Sequence, residues 1–185
     1  MPGRKKRPDA LLEGRRVYIR RPRAEDRREV LALTHASIRL HRGLVSPPAD
    51  DAAFDAYLER SSRPNVEGLL LFRAEDEALV GVFNLSEIVR GNFQSAYLGY
   101  YAGEPYAGRG YMTEGLRLVL RHAFECLKLH RIEANIQPSN AASIALARRA
   151  GFTREGFSRH YLKISGRWRD HERWALLAGD WKKNG

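Results

Sequence analysis

The sequence predicts a single domain of the α/β class, in which helices pack against one mixed β-sheet. Three observations support this prediction. The length of 185 residues is typical of one domain, and a hydrophobic fraction of 43% is enough for a sizeable core. Segments with a strand pattern also alternate with segments with a helix pattern, without an internal repeat or a linker.

The first half of the chain predicts one strand, two helices and three further strands. We expect residues 1–14 to form a flexible basic leader, followed by one domain over residues 15–185. The predicted elements are a strand at 17–19, a helix over 24–40, a helix that Asp50 or Asp51 could cap, and strands over 68–72, 79–85 and 93–101.

The second half is more regular. Apolar residues recur at helical spacing between positions 116 and 127, which predicts a well-marked amphipathic helix. A short strand over 132–136 and a helix over 140–150 follow, and Gly151 stands where a left-handed C-terminal cap is expected. The sequence ends with a predicted hairpin, whose strands cover 152–164 and 167–177.

The chain is strongly basic. Its 32 Lys and Arg residues against 22 Asp and Glu residues give a formal charge of +10. Such a charge attracts polyanions, including RNA, DNA, an anionic cofactor or an acidic membrane surface, although a surface tuned for solubility is an equal alternative. Zinc-knuckle spacing, RNP-type aromatic motifs and a recognition-helix pattern are missing from the sequence, so we do not expect sequence-specific nucleic-acid recognition.

Several other classes of protein are not expected. The apolar runs are much shorter than the roughly 18–20 residues that span a bilayer, and no secretory signal pattern follows the basic N-terminus. Cys126 has no cysteine partner within the chain, which fits a reducing compartment and a cytoplasmic location. His122, Cys126 and His130 are spaced four residues apart, and three such positions span about 12 Å of helix, so we expect no metal site there.

The segment from Leu98 to Glu114 carries the clearest chemical signal. A predicted strand runs into a glycine-rich loop, and the loop opens directly into the amphipathic helix. The first N–H groups of a helix have no partner within it, and the helix dipole favours an anion there. Gly108 and Gly110 would allow a phosphate to approach the main chain, and Arg109 adds a cation. The alternative is a tight turn that binds nothing.

Three groups of residues together resemble the GNAT family of acetyl-CoA-dependent N-acetyltransferases. They are residues 108–114, Asn135 with residues 138–143, and Gly151-Phe152, and the resemblance covers about residues 15–181. It implies a single-domain GNAT (acyl-CoA N-acyltransferase) fold with a mixed, mostly antiparallel central sheet, with acetyl-CoA as cosubstrate and no metal. The cofactor-binding residues it implies are Leu98, Tyr100, Ala107, Gly108, Arg109, Gly110, Tyr111, Met112, Thr113, Asn140 and Ser143.

Within this family, residues 89–100 and 161–171 look like the RimJ/RimL branch, which acetylates the N-terminal residue of ribosomal proteins. This implies transfer to the α-amine of a ribosomal protein, with alanine at the N-terminus of a small-subunit protein as the expected acceptor. The expected partners are that protein or the ribosomal particle, with non-specific rRNA contact, no membrane, and a monomer or homodimer. The alternatives are a GNAT acetyltransferase of a small amine and a ribosome-assembly or RNA-associated binding protein.

The expected chemistry needs few catalytic groups. An α-amine has a pKa near 7.7–8.0, so a sizeable fraction is neutral at physiological pH, and positioning can supply much of the rate. We expect the backbone N–H near Tyr100 to stabilise the oxyanion. Many relatives carry a tyrosine at the position of Ala147, and the resemblance implies that Ser143, one turn earlier, contacts the thiol instead. Glu87 is the first candidate for the base, ahead of His160 and Glu104, although each could equally be a surface residue.

Overall fold

The computed structural model describes Arg7 and residues 9–184, without the side chains of residues 182–184. Half of the expected leader, residues 1–6 and 8, therefore lies outside the described residues. Part of the remainder belongs to the sheet, because Leu12 pairs with Ile19 and Glu13 pairs with Tyr18. Two residues of the expected leader are thus part of the sheet.

The strands form one mixed sheet, as predicted. They are β1 (Leu12–Glu13), β2 (Val17–Arg20), β3 (Glu67–Arg73), β4 (Leu79–Val89), β5 (Ser95–Ala102), β6 (Arg131–Ile136), β7 (Thr153–Ile164) and β8 (Arg167–Leu177). Their order in the sheet is β1-β2-β3-β4-β5-β6-β8-β7. Every neighbouring pair is antiparallel except β5 and β6, which are parallel.

The helices lie between and after these strands. They are α1 (Arg27–Ala36), α2 (Ile38–His41), α3 (Asp51–Ser61), α4 (Tyr111–Arg121), α5 (Ala141–Arg149) and α6 (Ala178–Asn184), and α4 continues into a π turn at His122–Cys126. Asp50 caps α3 by accepting the N–H of Ala53, and Gly151 has the expected left-handed conformation after α5, with φ of +90°. Helix α6 was not predicted.

The prediction of a single helix over residues 24–40 was wrong. This segment is divided into a 3-10 turn, α1 and α2. The break falls at the buried Ser37, whose hydroxyl donates to Leu33 O at 2.7 Å and accepts the N–H of Glu104 at 2.9 Å. A serine hydroxyl that bonds the carbonyl four residues earlier competes with the helical ladder and favours a helix end. As a result α2 turns towards the end of β5.

Two apolar clusters cover the two faces of the sheet. Successive residues of β3 point to opposite faces, so Leu69 and Leu71 pack on the side of α4, whereas Leu70 and Phe72 pack on the side of α1 and α3. This double burial explains why β3 is apolar along most of its length instead of alternating. Strand β7 at the sheet edge differs, because its residues are exposed or only half-buried.

The sheet opens between its two parallel strands. The pairing of β5 with β6 covers only three positions and ends where Tyr97 faces Glu133. Both strands then continue, β5 to Ala102 and β6 to Ile136, without further pairing to each other. This divergence leaves a gap at the carboxyl ends of the two strands, a common position for ligands in sheets with parallel strands.

Candidate active site

A cavity of about 570 Å³ occupies the gap between β5 and β6. Its walls come from the end of β5, the loop before α4 with the first turn of α4, helix α5, and the segment from α2 onwards. The lining residues are Leu40, His41, Leu44, Val45, Tyr100, Tyr101, Ala102, Tyr106, Ala107, Gly108, Gly110, Met112, Thr113, Asn140, Ala142, Ser143, Ala145, Leu146 and Arg149. Sequence positions more than a hundred residues apart therefore meet in one site.

The loop before α4 presents a run of unbonded amides. Gly108 and Gly110 have φ of +74° and +80°, a left-handed conformation that glycine adopts at little cost. The Ala107 N–H donates to Glu104 O, and the Glu114 N–H donates to Gly110 O, each at 3.2 Å. Between them, the N–H groups of residues 108–113 have no acceptor among the described residues. This geometry suits an anion, whereas the Ala107 N–H is already bonded within the loop.

Arg16, in the turn between β1 and β2, holds this loop in place. Its backbone N–H and its Nε donate to the two carboxylate oxygens of Glu114 at 2.7 and 3.0 Å, and its guanidinium also donates to Arg109 O at 3.2 Å. Partial burial of Glu114 favours the neutral acid, but the hydrogen bonds from Arg16 outweigh it, so the pKa of Glu114 lies below its usual value. The loop and the first turn of α4 are thereby fixed to the sheet.

The side chains of Ser143 and Tyr100 meet inside the cavity. Their oxygens lie 2.6 Å apart, and Asn140 caps α5 by accepting the Ser143 N–H at 3.1 Å. Burial raises the pKa of Tyr100, so its phenol keeps its proton. The cap orients the first turn of α5, and the hydroxyl of Ser143 is consequently positioned at the inner end of the cavity.

The main chain of Tyr100 faces the gap. The Gly103 N–H donates to Val80 O at 2.9 Å, so these two residues face each other as a hydrogen-bonded pair of the antiparallel ladder between β4 and β5. Because N–H and C=O directions alternate along a strand, the polar groups of Tyr100 and Ala102 point away from β4, towards the gap. The carbonyl of Ala102 confirms this direction, since His41 Nε2 lies 2.9 Å from it.

Four predicted site residues lie outside the cavity lining. The Leu98 side chain is buried in the core, Arg109 is exposed, and Tyr111 packs beneath the guanidinium of Arg16, 5.0 Å from it. Glu87 is exposed in the irregular part of β4, where the pairing with β5 is interrupted. The other two candidates for the base, Glu104 and His160, are also exposed, and no Asp or Glu of the described chain lines the cavity.

Sequence reasoning missed the contribution of α2 and the residues after it. His41 is only 5% exposed, and its ring packs edge-on against Tyr101 at 5.3 Å. Gln137 Nε2 donates to Gly43 O at 2.8 Å, so this segment is also attached to the end of β6. No local motif marks these residues, because their role depends on contacts with distant parts of the chain.

The described residues contain no group of three or more His, Cys, Asp or Glu side chains that could hold a metal ion. His122 instead lies 3.1 Å from the carboxylate of Glu67, while Cys126 is exposed. Over the same part of the chain, each helix is too short or too polar to cross a bilayer.

Comparisons with known proteins agree with this architecture. Residues 16–153 match the family model described as the acetyltransferase (GNAT) domain. The chain is 35% identical over 178 residues to Probable N-acetyltransferase YjcK of Bacillus subtilis, covering 92% of this chain and 98% of that protein. It is 42% identical over 111 residues to [Ribosomal protein uS5]-alanine N-acetyltransferase of Escherichia coli, covering 60% of this chain and 57% of that protein.

Solved structures show the same fold. Mycobacterium smegmatis RimJ, in complex with CoA-disulfide, superimposes with a TM-score of 0.80 at 25% identity, covering 88% of this chain and 82% of that one. A ribosomal-protein-serine acetyltransferase structure from Vibrio cholerae, described as putative, gives a TM-score of 0.79 at 27% identity, covering 92% and 98%.

Proposed function

Because the chain belongs to the acetyltransferase (GNAT) domain family, and is thus an acetyl-CoA-dependent N-acetyltransferase, we propose that it acetylates the N-terminal α-amine of a ribosomal protein. The favoured acceptor is an alanine N-terminus on a small-subunit protein. The relative from Escherichia coli, named for alanine acetylation of uS5, supports this choice, as does the similarity to RimJ.

The described residues fit acetyl-CoA. The free N–H groups of residues 108–113 suit its diphosphate, and Gly108 and Gly110 leave the space that a phosphate needs. The cavity continues from there past Asn140 to Ser143 and Tyr100. When bound, acetyl-CoA supplies an acyl group already activated as a thioester, so the protein needs only to position it and assist the movement of charge.

Two groups are placed to assist the reaction. The N–H of Tyr100, directed into the gap, would stabilise the negative charge that develops on the acyl oxygen. The hydroxyl of Ser143 would protonate the leaving thiolate, while its 2.6 Å contact with Tyr100 keeps it oriented. Since Glu87, Glu104 and His160 do not line the cavity, we propose that the proton of the amine leaves through water.

The charge of the cavity lining is the observation that carries the choice of acceptor. Next to α2 the cavity is bordered by Leu40, His41, Leu44 and Val45, and no carboxylate is present along its described lining. A small polyamine would find no counter-charge there, and would lose favourable interactions with water on entry. An α-amine is different, because its pKa near 7.7–8.0 lets it enter without a proton, and a small apolar side chain suits these walls.

The test compares acceptors with the intact protein. The acceptors are a peptide beginning with alanine, the same peptide blocked at its N-terminus but containing a lysine, and spermidine. We expect kcat/KM for the free alanine peptide to exceed the other two by on the order of a hundredfold near neutral pH, because a lysine amine has a pKa near 10.4. Equal or faster acetylation of spermidine or of the blocked peptide would contradict the proposal, and a Ser143→Ala variant serves as the control for activity from this site.

A further inference from the structure

The hairpin tip, defined here as residues 157–171 of β7, β8 and the turn between them, carries cations without counter-charges. It contains Arg159, Lys163, Arg167 and Arg169 against one acid, Asp170, which gives 4 − 1 = +3. The side chain of Asp170 accepts the backbone N–H of His160 at 2.8 Å. Among the described residues, no carboxylate lies within ion-pair distance of Arg159, Lys163 or Arg167, and all three are exposed.

Several arginines elsewhere in the chain are paired with carboxylates. Arg16, Arg20 and Arg73 each form an ion pair with one carboxylate, and Arg27 and Arg131 each contact two. These pairs neutralise part of the chain's positive charge, whereas Arg159, Lys163 and Arg167 keep theirs. Other exposed arginines, such as those used in the control variant below, are also without an ion pair among the described residues, so the hairpin tip is one of several places that carry the net charge of +10.

An exposed tryptophan stands among these cations. Trp168 is 60% exposed and lies directly opposite Lys163 in the pairing of β7 with β8. By contrast, Trp174 on the same strand is only 3% exposed. A large exposed ring offers apolar area that a partner can cover, and tryptophan is enriched at interfaces for this reason. A flat aromatic face next to positive charges suits a nucleotide base whose phosphates lie on either side.

The hairpin tip also adjoins the acceptor end of the cavity. The hydroxyl of Ser165 lies 3.3 Å from that of Ser46, the residue after the cavity-lining Val45. β7 is the last strand of the sheet and pairs only with β8, so the hairpin is accessible from outside. A partner bound there would lie beside the wall of the cavity that contains Val45.

We propose that the hairpin tip binds single-stranded RNA, with Arg159, Lys163 and Arg167 against phosphates and Trp168 stacked on an unpaired base. An acidic protein would satisfy the cations, but it would leave the exposed tryptophan without a flat partner. The contacts involve phosphates and a ring face, so binding is independent of base sequence. The inference rests on the proposed function only for the identity of the RNA, which would be rRNA next to the N-terminus to be acetylated.

The experiment measures binding of a fluorescently labelled 20-nucleotide single-stranded RNA to the full chain at several salt concentrations. A triple variant, Arg159→Ser/Lys163→Ser/Arg167→Ser, is compared with a control triple, Arg28→Ser/Arg60→Ser/Arg117→Ser, which removes the same charge from exposed positions on α1, α3 and α4. We expect the hairpin triple to lose at least tenfold in affinity. Its salt slope, the slope of the logarithm of the binding constant against the logarithm of salt concentration, should fall in magnitude by about 2, since each phosphate contact contributes about 0.7 for single strands. The control should lose less than threefold.

Trp168 provides a second measurement that does not depend on charge. In the wild type, RNA should quench tryptophan fluorescence, and Trp168→Phe should abolish most of this quenching while retaining affinity. Trp168→Ala should weaken binding about tenfold without changing the salt slope. Equal losses in both triple variants, or tight binding of a polyglutamate peptide in preference to RNA, would overturn the proposal.

The two proposals fail separately. Acetylation of the free alanine peptide by the hairpin triple should stay within twofold of the wild type, because these three cations do not line the cavity. If the wild type binds RNA through the hairpin tip but does not acetylate the peptide, only the proposed function is wrong. If it acetylates the peptide but the two triple variants bind RNA equally, only the hairpin proposal is wrong.

Discussion

Replacement of Gly108 by aspartate tests the anion site directly. At this position φ is +74°, which Asp and Asn tolerate better than most residues, and an added Cβ would meet no heavy atom within 4 Å. The new carboxylate would therefore lie in open space beside the free amides of residues 108–113. At about 5 Å from a phosphate charge, with an effective dielectric constant near 20, the repulsion is about 3 kcal/mol. This corresponds to roughly hundredfold weaker binding of CoA.

Calorimetric titration with CoA at low salt measures this effect, and two variants isolate its cause. Gly108→Asn has the same shape without the charge and should lose only a few-fold in affinity. Gly91→Asp, at another open position with φ of +66°, should bind CoA like the wild type. All three should lose about 1 kcal/mol of stability from the left-handed backbone, or about 3 °C in Tm. If Gly108→Asp and Gly108→Asn bind CoA equally tightly, the diphosphate does not lie on this loop.

Three further changes test the site and its support. Ser143→Ala should lower kcat about a hundredfold, measured as thiol release. The Tm should change little, because the cap of α5 uses only the backbone N–H of Ser143. An unchanged kcat would rule out the serine as proton donor. Gly115→Ala should reduce the free energy of unfolding, measured by urea titration, by about 1–3 kcal/mol, since the added Cβ would lie 2.6 Å from the Leu71 side chain. Undiminished stability would show that the sheet can move away from α4. Glu114→Gln should destabilise the protein at neutral pH but not in acid. The pKa of Glu114 is lower in the folded state than in the unfolded state, so its ionised carboxylate stabilises the fold above the unfolded-state pKa, and this contribution is lost as the pH falls through the folded-state pKa. Curves of Tm against pH for the variant and the wild type that stay parallel from about pH 7 to pH 3 would contradict the assignment.

The order of the main elements could be predicted because each has a local signal. The apolar run of β3, the helical spacing in α4 and the glycine after α5 can all be recognised without tertiary information. The break at Ser37 could not, because the bond that it forms with Glu104 joins residues 67 positions apart. The gap between β5 and β6 is similar, since strand patterns predict extended backbone but not where two paired strands separate.

The candidate site shows the same difference between features with a local sequence signal and features that depend on contacts between distant segments. The glycine-rich loop could be predicted as an anion site because it lies at the start of a helix, where short-range geometry decides the chemistry. The roles of Asn140 and Ser143 were implied by the family resemblance, and both residues line the cavity. Arg16 and His41 were missed, because their contacts with Glu114 and Ala102 join distant segments. Glu87 does not line the cavity, so a carboxylate near a strand end is a weak signal by itself.

Composition gives the total charge of the chain, but function depends on which charged groups remain without an ion-pair partner. The two proposed anion sites use different groups: the loop before α4 offers backbone amides held in fixed directions, whereas the hairpin tip offers exposed side chains. Hydrogen bonds from fixed amides act at short range, while exposed cations act through a field that salt screens. Rising salt should therefore weaken RNA binding steeply and CoA binding only modestly. Parallel losses would indicate that one diffuse basic surface accounts for both.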